Sequence, residues 1–199
     1  MFKTQKLIME KIENSNYKIY TSSDFLDIAS SKTINKCLEL LERDGHLKKI
    51  KRGFYYKPHF NKVLGIDTTP GLNDFAYAIA RRNNWLIVPR GVYALNIIGL
   101  STQVPRILMF ASTGPYKEYA IGNTIISFNH ASSKELIDIS NNILIAIQAI
   151  KAIGKNNISN YDLDKIKDYL SDEDREEIIK GIKVTNWINQ TLRGIICTT

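Results

Sequence analysis

A cluster of four cations precedes Gly53 in the sequence, at Lys48, Lys49, Lys51 and Arg52. Short apolar and aromatic segments flank this cluster, so the pattern predicts a hairpin that turns at Arg52 and Gly53. A hairpin tip is thin and exposed, and cations placed there can enter the minor groove of DNA or contact its phosphates. The alternative is a solubilising charged edge that discourages pairing with other strands.

A second polar group lies at the start of a predicted helix over residues 32–43, which Ser31 would cap. The apolar stripe of this helix has the spacing i, i+3, i+4, i+7: Ile34, Cys37, Leu38 and Leu41. The outward residues near its start are polar: Lys32, Thr33, Asn35, Lys36 and Glu39. Asn can pair with adenine, Lys can reach guanine, and the hydroxyls of Ser31 and Thr33 can hold a phosphate beside the helix N-terminus. The alternative is a solvated face in a small helical bundle.

The elements around these residues follow the order of a winged helix-turn-helix. A first helix is predicted over residues 4–12, and a short second helix follows residues 22–24 and buries Phe25, Leu26 and Ile28. The third helix and the basic hairpin come next, and residues 54–56 are all aromatic. We expect these aromatic side chains to anchor the hairpin to the core, with stacking on single-stranded bases as the alternative.

The rest of the chain predicts a mixed domain with a small sheet and several helices, so the fold class is α+β. We expect a winged helix-turn-helix domain over 1–62, a linker near 58–71, and an α+β domain over 72–199. Strands are predicted at 85–88, 106–111, 116–121 and 124–128. Helices are predicted at 72–82, 92–100, 141–153, 162–170 and 187–196, with a further one opening at residues 171–174.

Charge divides the chain in the same way. Residues 1–62 hold 13 Lys or Arg and 7 Asp or Glu, whereas residues 63–199 hold 14 and 13. Such asymmetry favours a nucleic-acid or membrane-facing module joined to a neutral one, with a Lys-rich solvated surface as the bland alternative. The longest apolar run, 143–150, is interrupted by Gln148 and is far shorter than a membrane span, so no membrane partner is expected.

The remaining composition argues against familiar enzyme classes. Two distant cysteines and the lack of a secretory signal indicate a cytoplasmic protein. No zinc spacing, phosphate loop or nucleophile motif is present, so we expect no catalytic residue, metal or cofactor. Eight carboxylates between residues 162 and 177 are expected on solvated helical faces. A weaker alternative places them against a basic partner, or makes them the metal site of an enzyme acting on nucleic acid.

Several motifs together carry a resemblance to a known family. They are Tyr-Thr-Ser-Ser-Asp-Phe at 20–25, Leu-Glu-Leu-Leu-Glu-Arg-Asp-Gly at 38–45 and Ile-Lys-Arg-Gly-Phe-Tyr at 50–55. Four more lie in the second part: Gly-Leu-Ser-Thr-Gln-Val-Pro at 99–105, Gly-Pro at 114–115, Ile-Gly-Asn at 121–123 and Ala-Ile-Gly-Lys at 152–155. The N-terminal motifs resemble the winged helix-turn-helix of AbiEi-type antitoxins, which belong to bacterial type IV toxin–antitoxin and abortive-infection systems. The C-terminal motifs resemble a related family, and together the resemblance covers most of the chain.

The resemblance implies a regulator that binds inverted repeats in its own promoter, represses the operon and opposes a nucleotidyltransferase-like toxin. It implies DNA contacts from the third helix and the hairpin: Lys32, Thr33, Asn35, Lys36, Lys49, Lys51 and Arg52. A single winged helix buries a small interface, so a homodimer or cooperative binding to paired half-sites is expected. Alternatively, the second domain binds the toxin directly and DNA binding is secondary. The 99–105 run is expected to be structural.

Overall fold

The computed structural model describes residues 2–61, 65–136 and 138–197. The chain is α+β, as predicted, and it forms two compact units, Met1–Asn84 and Trp85–Thr199. We call these the N-terminal unit and the C-terminal unit. None of the helices in the described ranges is both long enough and apolar enough to cross a membrane.

In its described residues, the N-terminal unit contains three α-helices, a short 3-10 helix and two antiparallel strand pairs. In chain order these are α1 (Lys3–Glu13), the 3-10 helix (Ser22–Phe25), α2 (Ser31–Arg43), β1 (Lys48–Lys51), β2 (Phe54–Tyr56), β3 (His59–Asn61), β4 (Ile66–Thr68) and α3 (Leu72–Arg82). Strands β1 and β2 form one antiparallel pair, and β3 and β4 form another. The predicted helix 72–82 is confirmed by α3.

The core of this unit lies between α1, the 3-10 helix and α2. The predicted inward stripe of α2 is confirmed, because the buried residues of this helix are Ile34, Cys37, Leu38 and Leu41. The hairpin is attached to the helices through a β-bridge in which Tyr20 and Tyr55 exchange two backbone hydrogen bonds of 2.7 and 2.9 Å. The first hairpin and the helices therefore form one packed body.

The predicted second helix is wrong, because only a 3-10 helix of four residues forms at this position. Phe25 is fully buried as expected, but Leu26 is 55% exposed. The Asp24 carboxylate accepts hydrogen bonds from the Thr21 backbone N–H at 2.7 Å and from its hydroxyl at 3.1 Å. Such local side-chain bonds compete with a longer α-helix, and the cap of α2 follows closely at Ser30.

The division between the two units falls at Asn84 and Trp85, later than the predicted linker at 58–71. Strands β3 and β4 occupy much of that predicted linker, while residues 62–64 lie outside the described ranges. Helix α3 belongs to the N-terminal unit. Its Phe75 ring packs against the Phe54 ring of β2, and the ring centroids are 4.6 Å apart. Packing of α3 on the first hairpin explains the later division.

The C-terminal unit combines a four-stranded sheet with five α-helices in its described residues. Its elements are β5 (Ile87–Pro89), α4 (Val92–Ile98), β6 (Ile107–Ser112), β7 (Lys117–Ile121), β8 (Thr124–His130), a 3-10 helix (Ser133–Glu135), α5 (Asn141–Ile153), α6 (Asn160–Tyr169), α7 (Asp172–Lys180) and α8 (Asn186–Cys197). The strand order is β5-β6-β8-β7, with β6 and β8 parallel and the other pairs antiparallel. The predicted strands and helices are present, with ends shifted by a few residues.

Helix α5 is the centre of the C-terminal core. Every residue from 143 to 150 is buried, and α5 packs against α4, β5 and α8. Its predicted extent, 141–153, is confirmed, and Gly154 ends it with a positive φ of 84°. A helix that is apolar on all sides has to be surrounded by other elements, which the neighbouring helices and the sheet provide.

Candidate nucleic-acid interface

The N-terminal cap of α2 is Ser30, and the prediction that Ser31 caps it is wrong. The Ser30 hydroxyl accepts a hydrogen bond from the Thr33 backbone N–H at 3.4 Å and lies 3.0 Å from the Thr33 hydroxyl. Ser31 is therefore the first residue of the helix, and its hydroxyl receives a weak bond of 3.5 Å from the Asn35 amide. The first backbone N–H groups of a helix lack acceptors within it, so this end offers donors to an anion.

The outward face at the start of α2 is polar and exposed, as predicted. Its exposed residues are Ser31, Lys32, Thr33, Asn35 and Lys36. They lie opposite the buried stripe of the same helix. In the described part of the chain, neither Lys32 nor Lys36 forms an ion pair. The two ammonium groups are thus available to an external anion, and Asn35 lies between them in sequence.

The predicted basic hairpin is also present. Gly53 has a positive φ of 80°, which a residue with a side chain rarely adopts, and this allows the tight turn after Arg52. The register is irregular between Lys49 and Lys51, so Ile50 is the extra residue of a bulge. The predicted contact residues Lys48, Lys51 and Arg52 are all exposed.

Among the hairpin cations, Lys49 contacts both α2 and the Tyr55 ring. Its ammonium nitrogen lies 3.6 Å from a carboxylate oxygen of Glu42 and 5.5 Å from the centre of the Tyr55 ring. Arg52 forms no ion pair within the described residues. Lys49 therefore helps to fix the hairpin against α2, whereas Arg52 presents an uncompensated charge at the turn.

The three aromatic residues after the turn belong to the core. Phe54, Tyr55 and Tyr56 are 6%, 4% and 8% exposed, so the packing interpretation is confirmed and stacking on bases is not available to them. Burial raises the pKa of the Tyr55 hydroxyl. The hairpin is held rigidly by these side chains, which leaves only its charged edge for contacts outside the protein.

The comparison with known families decides membership but not activity. A sequence model of one family matches residues 7–178, from α1 to α7. The protein belongs to DUF6088, a family of unknown function. No curated protein matches the chain. The DUF6088 match includes all nine candidate contact residues, which lie between Ser31 and Arg52.

An ion pair between Asp24 and Arg81 of this DUF6088 chain was not predicted from the sequence. We call it the Asp24–Arg81 brace. Arg81 donates from Nε to Asp24 at 2.5 Å and from Nη2 to the Ile19 carbonyl oxygen at 2.7 Å. Its guanidinium carbon also lies 3.8 Å from the centre of the Tyr17 ring. Arg81 therefore fastens α3 to the 3-10 helix that precedes α2. Asp24 and Arg81 are 57 residues apart in sequence, so no local spacing of residues predicts this ion pair.

One carboxylate of the acidic stretch at 162–177 in this DUF6088 protein departs from the expected solvated face. No group of three or more His, Cys, Asp or Glu residues in the described ranges is arranged to hold an ion. Asp174 is only 4% exposed, so its expected place on a solvated face is wrong. It accepts hydrogen bonds from the Ser140 hydroxyl, from the Asn142 amide at 2.9 Å and from the Ser171 backbone N–H at 3.0 Å. This carboxylate joins the starts of α5 and α7.

Proposed function

We propose that the N-terminal unit of this DUF6088 protein is a winged helix-turn-helix that binds duplex DNA. In this proposal α2 enters the major groove and the β1–β2 hairpin is the wing. The observation that carries it is the polar, exposed start of α2, where Lys32 and Lys36 have no ion-pair partner in the described chain. This is the end of a recognition helix that contacts base edges.

The contacts divide by chemistry. Asn35 is the residue suited to bidentate pairing with an adenine, because a carboxamide offers one donor and one acceptor side by side. Lys32 and Lys36 can reach guanine or phosphate, and Arg52 supplies a phosphate or minor-groove contact from the hairpin turn. The Thr33 hydroxyl already contacts Ser30, so the backbone N–H groups at the start of α2 are the better phosphate donors.

The biological role that fits such a module is autorepression by an antitoxin in the cytoplasm. The resemblance to AbiEi-type antitoxins supports this role, and the excess of cations over residues 1–62 supports a nucleic-acid partner. Binding to inverted repeats would engage two copies of the chain, because one winged helix covers only one half-site. The opposed toxin would be a nucleotidyltransferase-like protein encoded beside it.

Repression of a reporter gene tests this proposal in cells. The DNA upstream of the gene drives the reporter, and the protein is supplied from a second promoter. The triple variant Lys32→Ala, Lys36→Ala, Arg52→Ala should lose repression, whereas the matched triple variant Lys155→Ala, Lys165→Ala, Lys180→Ala, with all changes in the C-terminal unit, should keep it. Equal repression by both variants, at equal protein levels, would refute the assignment of this face.

A second candidate function is direct binding of the toxin by the C-terminal unit. The observation that favours it is the loop at 99–105, where Val104 is 93% exposed beside the partly exposed Ile97 and Ile107. The Asn96 amide donates to the Gln103 carbonyl oxygen at 2.5 Å, which holds the loop on α4. A fixed loop that presents apolar side chains is suited to contact another protein.

Co-purification separates this candidate from the first. The product of the neighbouring gene, expressed with this chain, should copurify with the wild type and be lost with Val104→Asp if the loop is the contact. Thr102→Asp is the matched exposed control in the same loop. Absence of the neighbouring protein from wild-type preparations would remove this candidate and leave DNA binding untouched.

A further inference from the structure

A buried carboxamide lies in the middle of the apolar helix α5. Gln148 is the only polar residue of the segment 143–150, and it is 6% exposed. Buried carboxamides are normally hydrogen bonded, because desolvation without a partner is costly. Within the described ranges, neither a backbone group nor a side chain forms a hydrogen bond with Gln148. The Gln148 amide atoms are not among the fully buried polar atoms that lack a partner, so they can be reached from outside the fold.

The Gln148 side chain lines a cleft of about 450 Å³ in the C-terminal unit. Ile147, Val184 and Ile188 give the cleft an apolar wall, and Thr185 adds a hydroxyl. Ligand sites commonly combine such apolar walls with a few polar groups that orient the ligand. The cleft is large enough for a small organic molecule, and it gives the buried carboxamide access to one.

Among the described residues that line the cleft, cations outnumber anions. Lys151, Lys183 and Glu135 line it, and Lys151 lies 3.3 Å from Glu135, which compensates one of the two cations. Lys183 is exposed and forms no ion pair in the described residues. One cation is thus left over beside a carboxamide donor and an apolar wall.

We infer that this cleft binds a small organic anion, a carboxylate with an apolar body. Lys183 supplies the charge, and the Gln148 amide donates the directional hydrogen bond. The apolar body packs against Ile147 and Ile188. This site is separate from the proposed DNA-binding face, since all of its residues belong to the C-terminal unit.

Titration with two aromatic probes tests the inference on the full-length protein. Phenylacetate carries the anion and an apolar ring, and phenylacetamide is its neutral counterpart. Phenylacetate should shift the side-chain amide signals of Gln148 in ¹H–¹⁵N spectra and bind about tenfold more tightly than phenylacetamide. Gln148→Leu and Lys183→Met should each weaken phenylacetate binding by about tenfold, whereas Lys180→Met, outside the cleft, should not.

Thermal unfolding of Gln148→Leu provides a readout that does not depend on the choice of probe. Because no described residue forms a hydrogen bond with the amide, its replacement by an apolar side chain of similar size should leave the Tm equal or raise it. A lower Tm would show that the amide is satisfied within the protein and would overturn the inference. So would phenylacetate that binds no better than phenylacetamide, that fails to bind, or that binds Gln148→Leu as tightly as the wild type.

Discussion

Helices α2 and α7 begin in the same way, with a serine whose hydroxyl accepts a hydrogen bond from the backbone three residues later. Their first turns then differ. In α2 the three residues after the cap, Ser31, Lys32 and Thr33, are exposed, as is Lys36 one turn later. In α7 the third residue, Asp174, is buried and is bonded to groups at the starts of both α5 and α7.

The difference shows how charge is used in the two units. The α7 carboxylate has its hydrogen-bonding capacity filled by the fold, so its removal should damage the fold. The α2 ammonium groups stabilise nothing that the described residues reveal, so their removal should leave the fold intact and damage binding. A serine cap therefore occurs both at the start of α7, where a buried carboxylate joins two helices, and at the start of α2, which is exposed. Only the contacts of the residues after the cap distinguish the two helices.

The largest effect is expected for Asp174→Ala. Loss of this carboxylate leaves three part-buried donors without their acceptor, and we expect a loss of about 3 kcal/mol in the free energy of unfolding. Both tryptophans, Trp85 and Trp187, lie in the C-terminal unit, so their fluorescence during urea unfolding reports this unit. Asp172→Ala is the matched control, because Asp172 is 90% exposed. Equal losses for both variants would contradict the structural role assigned to Asp174.

A smaller effect on a different property is expected for Asn35→Ala. If Asn35 reads a base, binding to the upstream duplex should weaken by about 2 kcal/mol, roughly thirtyfold, without a comparable change on scrambled DNA. Electrophoretic mobility shifts on both duplexes measure this. Lys36→Ala provides the contrast within the same helix, since loss of a cation should weaken both complexes. Equal losses of Asn35→Ala on the two duplexes would contradict the base-reading assignment.

Two of the four hairpin cations, Arg52 and Lys49, should differ in the salt dependence of binding. Arg52→Ala should weaken binding to every duplex and lower the slope of log K against log salt by about one. Lys49→Ala should lower the slope less, because its ammonium group already contacts Glu42 at 3.6 Å. Titrations at several salt concentrations give both slopes. A larger change for Lys49→Ala would show that the Glu42 contact opens on binding DNA and that Lys49 is the main hairpin contact.

The smallest expected effect is a pH dependence of the stability that Asp174 contributes at the start of α7. Burial raises the pKa of Asp174, but the hydrogen bonds from Ser140, Asn142 and Ser171 outweigh it and leave the pKa below its usual value. A lowered pKa stabilises the fold above the unfolded value of about 3.9, and this contribution is lost as the pH falls through the folded pKa. The stability difference between wild type and Asp174→Asn should therefore shrink below about pH 4. A difference that stays constant down to the acid-unfolding limit would contradict this.

Local patterns were enough to predict much of the fold. The apolar stripe of α2, the turn at Arg52 and Gly53, and the extents of α3 and α5 all follow from spacing within one element. The outward polar face of α2 follows as well, because the inward stripe leaves no other side for it. The candidate DNA-contacting residues were thus predictable as exposed residues.

Features that depend on distant partners were not predictable in this way. The Asp24–Arg81 brace, the burial of Asp174 and the Lys49–Glu42 contact each join different elements, and single-sequence periodicity carries no information on them. The shortness of the 3-10 helix was also not predicted. The hydrogen bonds between Thr21 and the Asp24 carboxylate compete with a longer α-helix at this position. Gln148 was visible as an interruption of an apolar run, but only the structure shows that it lines a cleft.

The central claim is that the exposed start of α2 and the hairpin form a specific DNA-binding face, and fluorescence anisotropy tests it most directly. Labelled duplexes carrying the upstream DNA of the gene or a scrambled copy are titrated with the full-length protein at several salt concentrations. We expect the upstream duplex to bind at least about a hundredfold more tightly, with affinity falling steeply as salt increases. Equal, salt-sensitive binding to both duplexes would contradict it and would leave only a nonspecific basic surface.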